Sequence, residues 1–398
     1  MKLDIQIFIE QHPDDWEKLL QEKPYCLLIT RDTLHGKDLV MFKYNMVESS
    51  FAEPIVCECR GLILDAKTFE VVSFPFTKFF NAHELYAANL DWKTAKVATK
   101  VDGSLMKVEL IGDNLLVSTN GTIDAFKAPI AKQIGCTANS FGELFVEGIV
   151  DAFYDKIDWD GFGLPLLSDT IEKECINFFK WNLEEGYTYM FELVSPFSKV
   201  VIPYKETKLY YLGRRNNNTF QEEHFSKDPF NGAFMLPDIY PLQTLDQCLA
   251  ATAAMPWNEE GYVACDANFN RVKVKSPAYL AVHGLKNNGV MSYARAVEIV
   301  RLNEINEICA YFEEFRPALE ECKTRFWKLV EDCENTWNEY LKVDNSLPTR
   351  KDKALWITKN FKIPGLAFGL LDKKINSVRD FFMTSPADKI IKYLGYKE

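Results

Sequence analysis

The stretch that decides the fold is KVATKVDGSLMKVELIGDNLLVSTNGT, residues 96–122. Its β-branched and apolar runs are interrupted by Gly-Asp-Asn at 112–114 and end in Asn-Gly-Thr at 120–122, which are turn signals. The stretch therefore predicts three strands joined by short turns. Similar patterns predict strands at 25–30, 39–44, 56–64, 70–74, 187–194, 208–214, 261–265 and 271–275, and helices at 5–20 and 166–182.

The C-terminal part of the chain has a different pattern. Apolar residues recur there every three or four positions with charges between them, as in LEECKTRFWKLVEDCENTWNEYLKV at 319–343. The sequence therefore predicts an α+β domain over residues 1–284, followed by an all-α domain over 285–398. The Asn-Asn-Gly at 287–289 is the boundary candidate.

The bulk composition narrows the class of protein. Hydrophobic residues make up 47% and charged residues 26% of the 398, and no apolar run is long enough to predict a transmembrane helix. The N-terminus lacks the basic start and apolar stretch of a secretory signal, so we expect a cytoplasmic protein without a membrane partner. A net charge of −11 argues against a surface coated with basic residues, although it leaves room for a local basic groove.

The ten cysteines carry no recognisable site. There is no CxxC pair and no zinc-like spacing, so they are expected to be reduced and structural. Cys57 and Cys59 are predicted to share one face of the strand at 56–64. The absence of a GxxxxGK[ST] motif excludes a P-loop enzyme.

The candidate chemistry begins at Lys100, which is followed by Asp102 and Gly103 in a KxDG motif. Alone, this motif also describes a strand that ends in a solvated Asp-Gly turn. A functional interpretation of KxDG depends on five other motifs along the chain. These are CRGLILD at 59–65, KFFN at 78–81, FELV at 191–194, EGYVA at 260–264 and RVKVKS at 271–276. In the last of these, Lys273 and Lys275 point from one strand face, which suggests an anion between them.

The order of these motifs resembles that of the covalent nucleotidyltransferase superfamily, which contains ATP-dependent ligases and capping enzymes. The sequences ECRGLILD, KFFN and KVDGSL are similar to the motifs of the bacteriophage RNA ligase 1 family, which is typified by a tRNA-repair ligase. The resemblance implies a nucleotidyltransferase domain of antiparallel, ATP-grasp-like sheets. It also implies that Lys100 takes AMP from ATP, passes it to an RNA 5′-phosphate, and lets a 3′-hydroxyl displace it. An amine must lose its proton to attack, and burial or neighbouring cations would favour that loss.

The resemblance also implies roles for individual residues. The catalytic group is Lys100 with Lys273 and Lys275, and the ATP-binding group is Tyr44, Arg60, Lys78, Glu192, Lys273 and Lys275. A Mg²⁺ ion, for which Mn²⁺ can substitute, would be held through water by Glu260, Glu192 and Asp102. Weaker contacts with nucleotide or RNA fall on Asn120, Arg214 and Tyr279. Asn120 departs from the family, which tends to have a lysine there, so the phage enzyme's RNA contacts do not transfer directly.

The helical C-terminal part resembles the family's RNA-specificity domain, which implies a nicked tRNA as one candidate substrate. We expect the protein to be a monomer. Three other readings stay open. The chain could be a catalytically inactive nucleic-acid-binding relative, although the intact set of motifs argues against this. It could be a DNA ligase or capping enzyme, but those usually carry a β-barrel where this chain turns helical. Residues 285–398 alone could be an interaction module.

Overall fold

The computed structural model describes residues 2–157, 159, 168–198, 200–284, 291–309 and 312–396. The chain divides into two compact units, residues 1–279 and 280–398. The first unit contains three sheets with helices packed on them, and the second is helical. The α+β prediction is therefore confirmed, whereas the predicted boundary at 287–289 lies outside the described residues.

The first sheet has the order β1-β2-β3-β4 and is antiparallel. Its strands are β1 (Leu27–Leu34), β2 (Lys37–Tyr44), β3 (Arg60–Asp65) and β4 (Val71–Ser73). One face packs on α1 (Asp4–Gln11), α2 (Trp16–Gln21) and α3 (Pro54–Glu58). The predicted strand at 56–64 is wrong in its first half, because Pro54 opens a helix that holds Cys57 and ends at Glu58, with Cys59 as its C-cap.

The second sheet has the order β11-β10-β9-β7-β8, with antiparallel neighbours throughout. Its strands are β7 (Ser104–Ile111), β8 (Asn114–Thr119), β9 (Tyr187–Val194), β10 (Lys208–Asn216) and β11 (Glu222–His224). Helices α4 (Phe141–Phe153) and α5 (Ser168–Trp181) bury one face in an aromatic core that includes Phe145, Phe179 and Phe191. The opposite face of this sheet carries Glu192.

The third sheet has the order β12-β6-β13-β14-β5, in which only the β14–β5 pair is parallel. Its strands are β5 (Phe80–Asn81), β6 (Lys96–Thr99), β12 (Ile239–Tyr240), β13 (Gly261–Cys265) and β14 (Arg271–Lys275). Helix α6 (Leu245–Ala253) lies in the apolar core on one face, with Val272 and Val274. Residues 96–122 thus form β6, β7 and β8 as predicted, and they pass from the third sheet into the second.

Helix α7 (Pro277–Gly284) follows the last strand. The other helices are α8 (Tyr293–Leu302), α9 (Ile305–Cys309), α10 (Arg316–Val343), α11 (Arg350–Asn360), α12 (Pro364–Leu371), α13 (Val378–Thr384) and α14 (Ala387–Leu394). The start of α11 follows from its sequence, because Thr349 and Asp352 form a capping box. None of the described helices combines the length and the apolar character that a membrane crossing needs.

Candidate active site

A cleft in the first unit is lined by side chains from both the second and the third sheet, and Lys100 lies in it. Lys100 directly follows β6, and its backbone N–H donates to the carbonyl oxygen of Gly261 on β13 at 2.8 Å. Its Nζ donates to Oε2 of the buried Glu260 at 2.6 Å, and the other oxygen of Glu260 lies 3.6 Å from Nζ of Lys275. The adjacent ends of three strands therefore bring together one carboxylate and two lysines.

Alternation along β14 places Lys273 in the same cleft. Val272 and Val274 point into the apolar core, so Arg271, Lys273 and Lys275 point the other way. Burial lowers the pKa of Lys273 well below its usual range, and the nearby cations Lys78, Lys275, Lys100 and Arg60 add to this. A buried ammonium among like charges favours an anionic ligand such as a phosphate.

Glu192 projects into the cleft from β9, as its alternation with Phe191 and Leu193 predicts. Burial raises its pKa to about 7; the charge of Lys100 opposes this shift, and that of Glu260 adds to it. The glycine of the KxDG motif makes the arrangement possible. A Cβ on Gly103 would overlap the carbonyl oxygen of Leu193, so only glycine lets this turn pack against β9.

The pKa of Glu192 makes a pH-dependent contribution to stability. Below pH 4.5 the carboxyl is protonated in both the folded and the unfolded chain, so it contributes nothing. Between pH 4.5 and about 7 the carboxyl of Glu192 ionises in the unfolded chain before it does so in the folded chain. The free energy of unfolding therefore falls as pH rises, by about 1–2 kcal/mol because the side chain faces the cleft. We therefore expect Glu192→Gln to reduce the loss of unfolding free energy between pH 4.5 and 7. Urea melts at several pH values test this, and parallel curves for the two proteins would contradict it.

Arg60 reaches the cleft through a β-bulge at Gly61, where the pairing of β2 with β3 shifts. Gly61 has a φ of +81°, and a Cβ there would lie 2.9 Å from Cα of Asn120, which also lines the cleft. The fully buried Lys107 donates to the carbonyl oxygen of Gly61 and so fixes the bulge. Nη1 of Arg60 and Oδ1 of Asn120 are buried without a hydrogen-bond partner among the described residues. The orphaned Nη1 of Arg60 is a charged donor and therefore fits a phosphate-bearing ligand, whereas Oδ1 of Asn120 is an acceptor.

Asp102 and Tyr279 do not line the cleft. One carboxylate oxygen of Asp102 accepts the backbone N–H groups of Val201 and Ile202, at 2.9 and 2.7 Å. The other accepts the hydroxyl of Tyr279 at 2.9 Å. These side chains therefore tie distant segments together, and the contacts of Asp102 with metal-bound water and of Tyr279 with nucleotide or RNA stay predictions.

Arg214 is also displaced from the cleft, and a second bulge explains why. The pairing of β10 with β9 shifts between Tyr211 and Gly213, so the face on which each later residue lies is inverted. Leu212 lines the cleft, whereas Arg214 pairs with Tyr189 of the core face and forms ion pairs with Glu184 and Glu223, at 2.6 and 3.3 Å. Arg214 therefore lies on the face of β10 that is turned away from the cleft, and its contact with a nucleotide stays a prediction.

Lys78 and Tyr44 lie beside the cleft and do not line it. Nζ of Lys78 is 5.4, 5.1 and 5.3 Å from the ring centroids of Tyr44, Phe51 and Phe80. Cation–π attraction holds the ammonium in this aromatic cage. The ATP contacts of Lys78 and Tyr44 stay predictions, and the charge of Lys78 acts on the cleft by lowering the pKa of Lys273.

Several cleft residues were missed in the sequence. The alternation of side chains along β6 and β14 predicts that Lys96 and Arg271 share the faces of Lys100 and Lys273, and both line the cleft. His224 has no local signal, because its place follows from the pairing of β11 with β10. Burial and the charges of Lys96 and Arg271 lower the pKa of His224 to about 4, so the ring is neutral near pH 7.

The residues of the cleft also indicate how a metal ion would be held there. No cluster of three or more metal-ligating side chains occurs in the part of the chain that the structure describes. Glu192 and Glu260 both interact with Lys100: Glu260 accepts a hydrogen bond from its Nζ, and Glu192 interacts with its charge. Mg²⁺ keeps several of its waters, so two carboxylates fit a hydrated ion better than a directly ligated one.

The fold and the cleft define an α+β protein in which charged groups converge on one lysine. Residues 58–279, more than half of the chain, match a family model described as RNA ligase, and the chain belongs to this phage-type RNA ligase 1 family. It is 27% identical over 305 residues to the RNA ligase of Rhodothermus phage RM378, covering 70% of this chain and 55% of that one. It is 29% identical over 259 residues to a protein of Autographa californica nuclear polyhedrosis virus named as a bifunctional polynucleotide kinase/RNA ligase, covering 62% and 33%.

The chain thus spans a third and about half of the lengths of these two relatives. Among solved structures, an archaeal ATP-dependent RNA ligase is similar at 12% identity, with a TM-score of 0.42 over 81% of this chain and 74% of that one. A Naegleria gruberi RNA ligase variant with ATP and Mn gives 15% identity and a TM-score of 0.34 over 67% and 82%. These structural likenesses are too weak to carry an argument.

Proposed function

We propose that this chain is an ATP-dependent RNA ligase that joins a 5′-phosphate to a 3′-hydroxyl through a lysyl-AMP at Lys100. The observation that carries the proposal is the position of the Lys100 amine. It lies in the same cleft as Lys273 and as a guanidinium nitrogen of Arg60 that has no hydrogen-bond partner in the described part of the chain, and it is 2.6 Å from Glu260. A nucleophilic amine among fixed cations suits attack on a phosphate, whose developing charge those cations stabilise.

The reaction has three displacements at phosphorus. Lys100 gives a proton to Glu260, its Nζ bonds to the α-phosphorus of ATP, and the bond to the β-phosphate oxygen breaks to release pyrophosphate. An oxygen of the RNA 5′-phosphate then attacks the same phosphorus, which breaks the N–P bond and returns Lys100. Finally the RNA 3′-hydroxyl loses its proton to solvent as its oxygen bonds to the 5′-phosphorus of the adenylated strand, and the phosphoanhydride bond breaks to release AMP.

The other chain residues bind and orient the substrate. Lys273 would neutralise the α-phosphate, and the apolar Leu212 and Val263 line the same cleft and would hold the base. Mg²⁺, with Mn²⁺ as a substitute, would be held through water by Glu192 and Glu260, and it would neutralise charge on the phosphates. We extend the proposal to residues 285–398 as an RNA-specificity domain, a nicked tRNA as one substrate, a monomer, and action in the cytoplasm, that of the host if the source is viral.

Covalent loading tests this function directly. The full chain is first treated with pyrophosphate to remove any AMP, then incubated with Mg²⁺ and ATP labelled at the α-phosphate. We expect label that stays on the denatured chain, is released by acid, and passes to RNA bearing a 5′-phosphate. Label that never survives denaturation would reject the ligase proposal and favour an inactive nucleic-acid-binding relative.

A further inference from the structure

A pair of opposite charges is buried behind the cleft, on the strand that follows the KxDG motif. Lys107 and Glu109 are two positions apart on β7, so both side chains leave the face from which Leu105 reaches the cleft. Their exposed fractions are 0% and 2%. Burial lowers the pKa of Lys107 and raises that of Glu109, and the charge of each residue opposes the shift of the other. Each charge therefore favours the ionised form of its neighbour.

The ammonium of Lys107 binds the part of the backbone that directs Arg60 into the cleft. Its Nζ donates to the carbonyl oxygen of Gly61, which belongs to β3 of the first sheet. The pairing of β2 with β3 shifts here, between Phe42 and Lys43. This bulge turns Arg60 toward the cleft, because without it the side chain would point to the opposite face, into the apolar core. The direction of Arg60 thus depends on a carbonyl group that Lys107 holds.

We infer that Lys107 is a positioning residue of the ligase, which orients Arg60 toward the substrate by binding the carbonyl group of Gly61. Glu109 is its buried counter-charge. The role in the reaction rests on the proposed function, whereas the control of Arg60 by Lys107 does not. Stability alone does not account for this pair, because apolar side chains of similar volume often stabilise a protein as well as buried charges do. A charged donor holds a carbonyl group more strongly than a neutral donor does, and that is what a fixed bulge requires.

Rates of AMP loading in a double-mutant cycle test this dependence. We expect Lys107→Met to slow loading about tenfold, because a charge-assisted hydrogen bond is lost and Arg60 is no longer held in one direction. In a chain that already carries Arg60→Ala, the same substitution should have no further effect, since it acts only through Arg60. Ser118→Ala is the matched control, because Ser118 is buried directly opposite Lys107 on β8. Losses that multiply in the double variant, or an equal loss in Ser118→Ala, would overturn the inference.

A second variant separates positioning from a general loss of folding. Lys107→Met leaves Glu109 buried without its cation, so Lys107→Met is also combined with Glu109→Gln. We expect the combined variant to unfold in urea as the wild type does and to load AMP about tenfold more slowly. A combined variant that folds normally and loads at the wild-type rate would reject the inference.

A measurement without ATP distinguishes this inference from the ligase function. The Nε–H resonance of Arg60 in heteronuclear NMR spectra, assigned by its loss in Arg60→Lys, reports the environment of the guanidinium. It should shift and broaden in Lys107→Met and stay unchanged in Ser118→Ala. An unchanged resonance in Lys107→Met would reject the inference even in an active ligase. A wild type that never loads AMP, but whose Arg60 resonance depends on Lys107, would refute the ligase function and leave the control of Arg60 by Lys107 standing.

Discussion

With Lys100 replaced by alanine, we expect no AMP on the chain after incubation with ATP, whereas a 5′-adenylated RNA strand is still sealed to a 3′-hydroxyl. The amine is needed only where an N–P bond forms, in loading and in the transfer that follows it. The last displacement needs the cleft and its cations but not the nucleophile. Loading should therefore fall below detection, by at least about a thousandfold on the scale of lost nucleophiles, and sealing of adenylated RNA should fall far less.

The variant is expected to fold, because Glu260 keeps Lys275 at 3.6 Å when Lys100 is removed. Its melting temperature checks this. Lys93→Ala is the matched control, since Lys93 is exposed and lies shortly before the same strand. Loading by Lys100→Ala at the wild-type rate would assign the nucleophile to another residue. Loss of sealing equal to the loss of loading would instead give Lys100 a role in binding RNA.

Strand alternation and the order of motifs were enough to predict the centre of the site. KxDG, EGYVA and KxK lie at the ends or on the faces of paired strands, so a correct assignment of the strands also brings Lys100, Glu260 and Lys273 together. Glu192 follows by the same logic, because its neighbours Phe191 and Leu193 identify the core face. Period-two patterns survive in these strands because no bulge interrupts β13, β14 or the relevant part of β9.

The side chains lie elsewhere than strand alternation predicts where a bulge or a distant contact intervenes. The bulge in β10 reverses the face of Arg214, and alternation alone cannot show this. The sequence does not show that the carboxylate of Asp102 accepts three hydrogen bonds, because the donors are 99, 100 and 177 positions away in the chain.

The largest effect on stability is expected at Glu222, which lies between two buried arginines. Its carboxylate accepts from Arg271 at 2.5 Å and from Arg215, and so joins β14 of the third sheet to β10 and β11 of the second. Each guanidinium also stacks on an aromatic ring, Arg215 on Phe74 at 4.0 Å and Arg271 on Phe76 at 4.3 Å. Burial acts to raise the pKa of Glu222, but Arg271 and Arg215 outweigh it and hold the pKa below its usual value.

Glu222→Gln should therefore lower the free energy of unfolding by about 3–5 kcal/mol, since two buried guanidinium groups lose their counter-charge. The depressed pKa gives the sign of the pH effect. The ion pairs stabilise the wild type fully above its unfolded pKa near 4.5, and this is lost as pH falls through the lower folded pKa. The deficit of the variant should accordingly shrink on acidification. Glu223→Gln is the matched control, because Glu223 is more exposed and its partner Arg214 keeps Glu184, so about 1 kcal/mol or less is expected. Urea melts at pH 7 and pH 3.5 measure both, and equal losses in the two variants would refute a buried ionic link between the sheets that form the cleft.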